Sequence, residues 1–374
     1  MSQNRQLSFF VIGLALFSMF FGSGNLIFPL FLGQIAGGEW VYASLGFFLT
    51  AVLLPLTGIV AMLVYKGDYC AFFGSLGKTG GLLAILALLT VWIPLGSGPR
   101  CVALAYASML PYLDSPPSLW LISALYCLTV FIVVYKKSRI LDVLGYVLTP
   151  LLLLCLALII GKGIDFQTLA IAPITGNSFS LFFRGLTEGY NTMDLIASFF
   201  FSASVIEILR NSSHDEAGSL SKTFKASIVG ASLLAIVYVG LICLATSHEG
   251  QLHDIPKEQL LVHIAKDLLG TQIGLIASGA VFLACFTTSV ALATVFANFL
   301  AEKLMGSSKY YPLALAVTQL ATFGMSIIGL KGITAITEPV LQIFYPTLMI
   351  LIVINVGRKW LPQPEVSPQE PSFD

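Results

Sequence analysis

The feature that most constrains this chain is an apolar run from Leu7 to Leu32 whose centre is polar and glycine-rich. About 20 apolar residues suffice to cross the hydrocarbon of a bilayer as one helix, and this run is long enough. Its middle, however, reads Gly22-Ser23-Gly24-Asn25, with Pro29 a turn later. Hydrocarbon offers no hydrogen-bond partner, so a spanning helix must satisfy its backbone internally. Poor helix formers are tolerated at that depth only where the freed backbone is buried in protein or lines a cavity. Two readings follow: a close helix–helix approach built on small residues, or an interrupted helix that holds a ligand.

The rest of the chain keeps it in the membrane. Of its 374 residues 57% are hydrophobic and 10% charged, against roughly 25% charged in soluble domains. Apolar windows at 8–35, 40–64, 80–110, 118–135, 140–161, 180–209, 224–247, 271–301, 310–330 and 333–356 predict an all-α polytopic membrane protein of about ten spans. Arg5 precedes an apolar core as in a signal peptide, but the run continues past any cleavage point and reads as an uncleaved first span. Lys plus Arg and Asp plus Glu balance at 19 each, which leaves no field for a nucleic-acid partner. The six cysteines are far apart and make no metal or disulfide spacing, so they read as small apolar side chains.

The sides of the membrane follow from the cations. With the N-terminus inside, thirteen Lys and Arg fall in cytoplasmic segments, among them Arg5, Lys136, Lys137, Arg139, Arg358 and Lys359. Five fall outside: Lys162, Arg184, Lys257, Lys266 and Lys331. Both termini are therefore expected in the cytoplasm: a short segment at 1–7, and a proline-rich, disordered tail at 357–374. The external segment 248–270 carries Leu260, Leu261, Ile264, Leu268 and Leu269 at helical spacing between Pro256 and Gly270. It predicts a short amphipathic helix, either lying passively at the interface or serving as a lid.

A second interruption falls in the sixth span, where "GLTEGYNTMD" (185–194) combines Gly189 with Glu188, Asn191, Thr192 and Asp194. Ten spans divide into five plus five, at 8–161 and 180–356, and the interruptions then occupy corresponding first positions. Five is odd, so the second set enters from the opposite face and the repeats are inverted. Matched broken helices in two halves point to a secondary transporter's binding site. Bare N–H groups at a half-helix N-terminus suit a carboxylate, and freed carbonyls suit a small cation. A membrane-embedded enzyme would need clustered catalytic groups, and none is visible. Broken helices in inverted halves also argue against a channel.

At these residues the chain resembles a known family. "GSGNLIFP" (22–29), "IPLGSGPR" (93–100), "GYNTMD" (189–194) and "CFTTSVAL" (285–292) together resemble the branched-chain amino acid:cation symporters of the BrnQ type. Their fold is that of the leucine transporter (LeuT), and the resemblance covers roughly residues 7–356. It implies cation-coupled uptake of leucine, isoleucine and valine across the cytoplasmic (inner) membrane, or of another small apolar solute by the same fold. No cofactor is implied; the coupling ion would be Na⁺, with H⁺ as the alternative, and the other partner is membrane lipid. Members usually carry twelve spans and ten are legible here. The five-plus-five core is complete, so the departure bears on oligomeric contacts.

The resemblance also implies sites. Ala284, Thr287 and Thr288 on the eighth span would bind Na⁺ together with the carbonyls of Ser18 and Phe21, unless the threonine hydroxyls simply bond back to their own helix. Ser289 points to another face. The amides of Ser23 and Gly24 would take the substrate carboxylate, and Asn25 would order the break or add a cation ligand. Phe20, Gly189 and Tyr190 would line the aliphatic pocket, if they are not ordinary packing. Charged residues at membrane depth are functional suspects. Arg100 either snorkels outward or pairs with Glu188 or Glu338 as an external gate. Asp194 either caps the restarting helix or, with Glu188, offers a proton route.

Overall fold

The computed structural model describes residues 9–135, 140–171, 177–212 and 216–360. Segment 1–7, the tail from 361 onward and the cations Lys136, Lys137 and Arg139 lie outside the described residues. Helix dominates, as a chain that must satisfy its backbone within hydrocarbon requires. The first span is two helices, α1 (Phe9–Phe20) and α2 (Ser23–Ala36). The second is α3 (Trp40–Phe48) and α4 (Leu54–Val64), joined by one wide turn and followed by the short α5 (Tyr69–Phe73). The third joins α6 (Lys78–Trp92) to α7 (Gly98–Met109) through a similar wide turn at the IPLGS sequence. The fourth and fifth are α8 (Leu119–Tyr135) and α9 (Ile140–Gly163), with a short α10 (Phe166–Ile171) after them.

The second half repeats the plan. The sixth span is again split, into α11 (Ser178–Asn191) and α12 (Asp194–Ser212). The seventh is α13 (Glu216–Ser247), followed by a short α14 (Glu249–Leu252). The eighth lies in α15 (Leu260–Phe299), which kinks at Gly270 (φ 74°, ψ 172°). Then come α16 (Tyr311–Ser326) and α17 (Gly329–Trp360). Among the described residues, five stretches are long and apolar enough to cross unaided: Ser23–Val64, Lys78–Tyr112, Leu220–Ser247, Gly270–Leu304 and Gly329–Lys359. The sixth span is not one of them: its break divides it into helices of 14 and 19 residues, and it carries Arg184, Glu188 and Asp194.

Packing is symmetric under a shift of five spans. Both halves of span one pack on span seven, as both halves of span six pack on span two. Span five packs on span eight, and span ten on span three. That permutation is what two inverted five-helix repeats require. Small residues set the closest approaches in both copies. A Cβ on Gly13 would lie 2.9 Å from the Ala226 carbonyl, and one on Gly230 would lie 3.1 Å from that of Gly13. On the other side, side chains at Gly46 and Gly185 would run into the carbonyls of Phe182 and Ala43. Gly185→Val is therefore expected to overpack the α3–α11 contact and to destabilise by about 1–3 kcal/mol. Thermal denaturation in detergent, read by size exclusion, checks this; an unchanged midpoint would refute the close packing.

The amphipathic segment of the 248–270 loop is the start of α15, and it does not float at the interface. Leu260, Leu261 and Ile264 are all buried against the bundle. Gln34 Nε2 of α2 donates to the Ile255 carbonyl at 3.1 Å. Lys266 Nζ donates to the Pro111 carbonyl at 2.9 Å. The loop is thus strapped to spans one and three, as a lid would be.

Candidate functional site

The first interruption is tighter than its sequence suggests. Phe21 N–H still reaches the Phe17 carbonyl at 2.8 Å. Gly22 is extended (φ −110°, ψ −165°), and α2 restarts at Ser23. Ser23, Gly24 and Asn25 are therefore a buried first turn rather than the gap itself. Helix geometry leaves the first N–H groups of that turn without intrahelical acceptors, at the positive end of the helix dipole. Asn25 Oδ1 reaches back to accept the Gly22 N–H at 3.0 Å and so fixes the restart.

The second interruption falls within the 185–194 stretch, near its end and past Gly189. Helix α11 continues through Gly189 and Tyr190 to Asn191, and the break is at Thr192–Met193. Met193 carries φ +64°, a left-handed conformation that costs a non-glycine residue on the order of 1–3 kcal/mol. Gly189 has a packing role, since a Cβ there would collide with the Thr50 hydroxyl. The two breaks face each other: a Cβ on Gly24 would sit 3.3 Å from Thr192 Cα.

A buried polar cluster joins them. Asp194, the first residue of α12, is 2% exposed. Its Oδ2 accepts from Asn25 Nδ2 at 2.8 Å and from the Tyr238 hydroxyl of α13 at 2.9 Å. Asn25 Nδ2 and the Tyr238 hydroxyl also touch. Asn25 thus spends its Oδ1 on Gly22 and its Nδ2 on Asp194 and Tyr238. Of the two roles expected for Asn25, ordering the break is the one its bonds fit. Tyr238 was not singled out from sequence, although a tyrosine in an apolar span needs a partner for its hydroxyl. That was the available signal.

A second cluster lies at the end of α1. A cavity of about 20 Å³, room for one water-sized body, is lined by Phe17, Ser18, Phe21, Leu152, Ala284, Thr287 and Thr288. All five residues expected around a cation meet there. The Thr287 hydroxyl donates to the Ala284 carbonyl at 3.0 Å, so the back-bonded alternative also describes part of the geometry. Ser289 faces elsewhere and contacts the Tyr126 hydroxyl at 3.0 Å.

The expected gate pairs are not formed. Arg100 is 1% exposed and does not snorkel. Its Nη1 donates to the Asn191 carbonyl and its Nη2 to Thr337 Oγ1 at 2.7 Å. Its guanidinium lies 5.0 Å from the Phe28 ring centroid. Arg100 thus caps the C-terminal end of α11, where the dipole is negative, and pairs with neither Glu188 nor Glu338 among the described ion pairs. Glu188 instead meets Arg184 at 2.7 Å and Lys257 of the 248–270 loop at 3.9 Å. Glu338 is half-buried beside Thr337. Lys257 Nζ also sits 3.5 Å above the Phe31 ring of α2. Burial pulls the Lys257 ammonium below its ordinary pKa, while Glu188 opposes that shift.

The aromatic candidates separate. Phe20 meets Phe201 edge-on, with centroids 6.0 Å apart, and faces an apolar cavity with Leu16, Pro55 and Ile59. Tyr190 tilts against Tyr345 at 4.5 Å. The two rings have different partners and do not frame one pocket.

Two broken helices at symmetric positions, facing each other inside a ten-segment bundle, define a secondary transporter of the LeuT fold: a carrier rather than an enzyme. Solved structures bear out the fold. The nucleobase-cation-symport-1 family transporter Mhp1, in a closed conformation with bromovinylhydantoin bound, matches with a TM-score of 0.65 at 13% identity, covering 96% of this chain and 79% of that one. MhsT in complex with L-phenylalanine matches with a TM-score of 0.58 at 16% identity, covering 94% and 89%. In sequence, the branched-chain amino acid permease BraB of Bacillus subtilis (strain 168) is 28% identical, over 92% of this chain and 79% of the permease. Residues 5–371 match the family model described as branched-chain amino acid transport protein, and the chain belongs to that family.

Proposed function

We propose that this chain takes up leucine, isoleucine and valine together with Na⁺ across the cytoplasmic membrane, with both termini inside. Its two repeats would run over 8–161 and 180–356. The observation that carries the coupling is the cavity collecting Ser18, Phe21, Ala284, Thr287 and Thr288. It offers neutral oxygens, which suit a hard, singly charged ion. Mhp1, of the nucleobase-cation-symport-1 family, and MhsT, solved with an amino acid, support a cation and an amino acid as fitting partners for this fold. The substrate carboxylate would lie on the amides of Ser23 and Gly24.

Labelled isoleucine uptake into proteoliposomes, with Na⁺ and pH gradients imposed separately, tests the reading. Uptake should follow Na⁺ and be suppressed by excess leucine or valine, but not by lysine or glutamate. Uptake that ignored Na⁺ and followed the pH gradient would move coupling to Glu188 or Asp194. Equal competition by charged amino acids would sink the apolar substrate class.

A further inference from the structure

We propose that the Asp194 carboxylate is the counter-ion for the α-ammonium group of the transported amino acid. This rests on the chain being an amino-acid carrier and adds the residue that recognises the amino end. A carboxylate that is 2% exposed is costly to hold charged unless it is paired and hydrogen-bonded. Asp194 is hydrogen-bonded but not paired: among the described residues no Lys, Arg or His lies within 4.0 Å of it. Its two side-chain donors, Asn25 and Tyr238, both approach Oδ2. The neighbouring Thr192 hydroxyl donates to the Gly189 carbonyl at 2.8 Å. An ionised carboxylate has about four acceptor sites, so capacity remains for a cationic donor.

Position identifies that donor. Asp194 lies where the restarting ends of α2 and α12 converge, and Asn25 ties it directly to the turn that begins at Ser23. A ligand whose carboxylate lies on the Ser23 and Gly24 amides carries its ammonium only one carbon away. Asp194 is the acid that Asn25 ties to that turn. An ammonium brings three donors of its own.

The test compares leucine with 4-methylpentanoate, the same molecule without its amino group, by calorimetric binding to the purified full chain at saturating Na⁺. Wild type should prefer leucine by roughly 10- to 150-fold, the range for losing a hydrogen bond to a charged group. Asp194→Asn should lose that much affinity for leucine and none for 4-methylpentanoate, so that the two ligands converge. Equal loss for both would make Asp194 a structural pin, and undiminished leucine binding would make it a proton site or a bystander; either overturns the proposal. If Asp194→Asn does not fold, Tyr238→Phe decides. It keeps the carboxylate and should keep the preference for leucine within about threefold; loss of that preference overturns the assignment. A wild-type protein that binds neither ligand would defeat the carrier reading itself, and this proposal with it.

Discussion

Replacing Thr288 by alanine should raise the Na⁺ concentration for half-maximal isoleucine uptake about 5- to 150-fold, which is the loss of one buried polar ligand at about 1–3 kcal/mol. The expectation follows from the cavity between α1 and α15. Thr288 lines it, and its methyl lies 3.6 Å from where a Cβ on Gly22 would be, beside the first break. Thr287 shares the cavity with its hydroxyl proton given to the Ala284 carbonyl, which leaves oxygen lone pairs for a cation. Thr288→Ser keeps the hydroxyl and should largely spare the Na⁺ dependence. Linkage is reciprocal, so leucine binding at limiting Na⁺ should weaken in Thr288→Ala and recover at saturating Na⁺. If Thr288→Ala and Thr287→Ala both fold and leave the Na⁺ dependence unchanged, the ion is held elsewhere.

The grouping of Ala284, Thr287 and Thr288 was legible because it follows a local rule, whereas a cation role and the partners Ser18 and Phe21 came from the family resemblance alone. Residues three and four apart share one face of a helix, so Ala284, Thr287 and Thr288 could be grouped without any knowledge of the fold. The broken helices were legible for a similar reason: glycine and asparagine in an apolar span conflict with the membrane's demand on the backbone. The exact point of the second break was not. Gly189 is the poorer helix former, yet α11 runs through it, because the glycine is needed for the close passage of Thr50. The left-handed turn falls instead on Met193, a residue with no local preference for it. Tertiary packing chose the position, and a single sequence does not display tertiary packing.

Long-range partners were legible only as residue types. Arg100 was evident as a charge at membrane depth, with snorkelling outward and pairing with an acid as the two expectations. The fold satisfies it with the Asn191 carbonyl and Thr337, groups with no charge to advertise themselves. Glu188 was evident too, but its cations come from one turn away on its own helix and from a loop 69 positions later. The Asn25–Asp194–Tyr238 cluster joins three spans. Two of its members stood out as polar groups in broken helices. The third looked like one more aromatic residue in an apolar run.

With both termini inside as proposed, the 248–270 loop faces outward, and freeing Lys257 should open the carrier from that side. The loop that contains it is tied to α2 by Gln34, and Lys257 adds contacts to two moving parts. It lies 3.9 Å from Glu188 on α11 and 3.5 Å from the Phe31 ring on α2. A partly screened ion pair of this kind is worth up to about 1 kcal/mol, and a cation over an aromatic face adds about 0.5–2 kcal/mol. Lys257→Met removes both, about 0.5–3 kcal/mol together, and should shift the balance toward an open outer pathway by roughly 2- to 150-fold. Cys101 provides the readout, because it is fully buried with its Sγ 3.5 Å from Ser23 Oγ beside the first break. With the other five cysteines replaced, an impermeant thiol reagent added outside should modify Cys101 faster in Lys257→Met by that factor. Glu188→Gln should act in the same direction but less strongly, since the contact with Phe31 survives. High salt should accelerate labelling of the wild type and have little effect on Lys257→Met, because screening acts on the ion pair that the variant already lacks. If Cys101 reacts at the wild-type rate in both variants, the strap is passive and the outer pathway is closed by Arg100 and Phe28 beneath it.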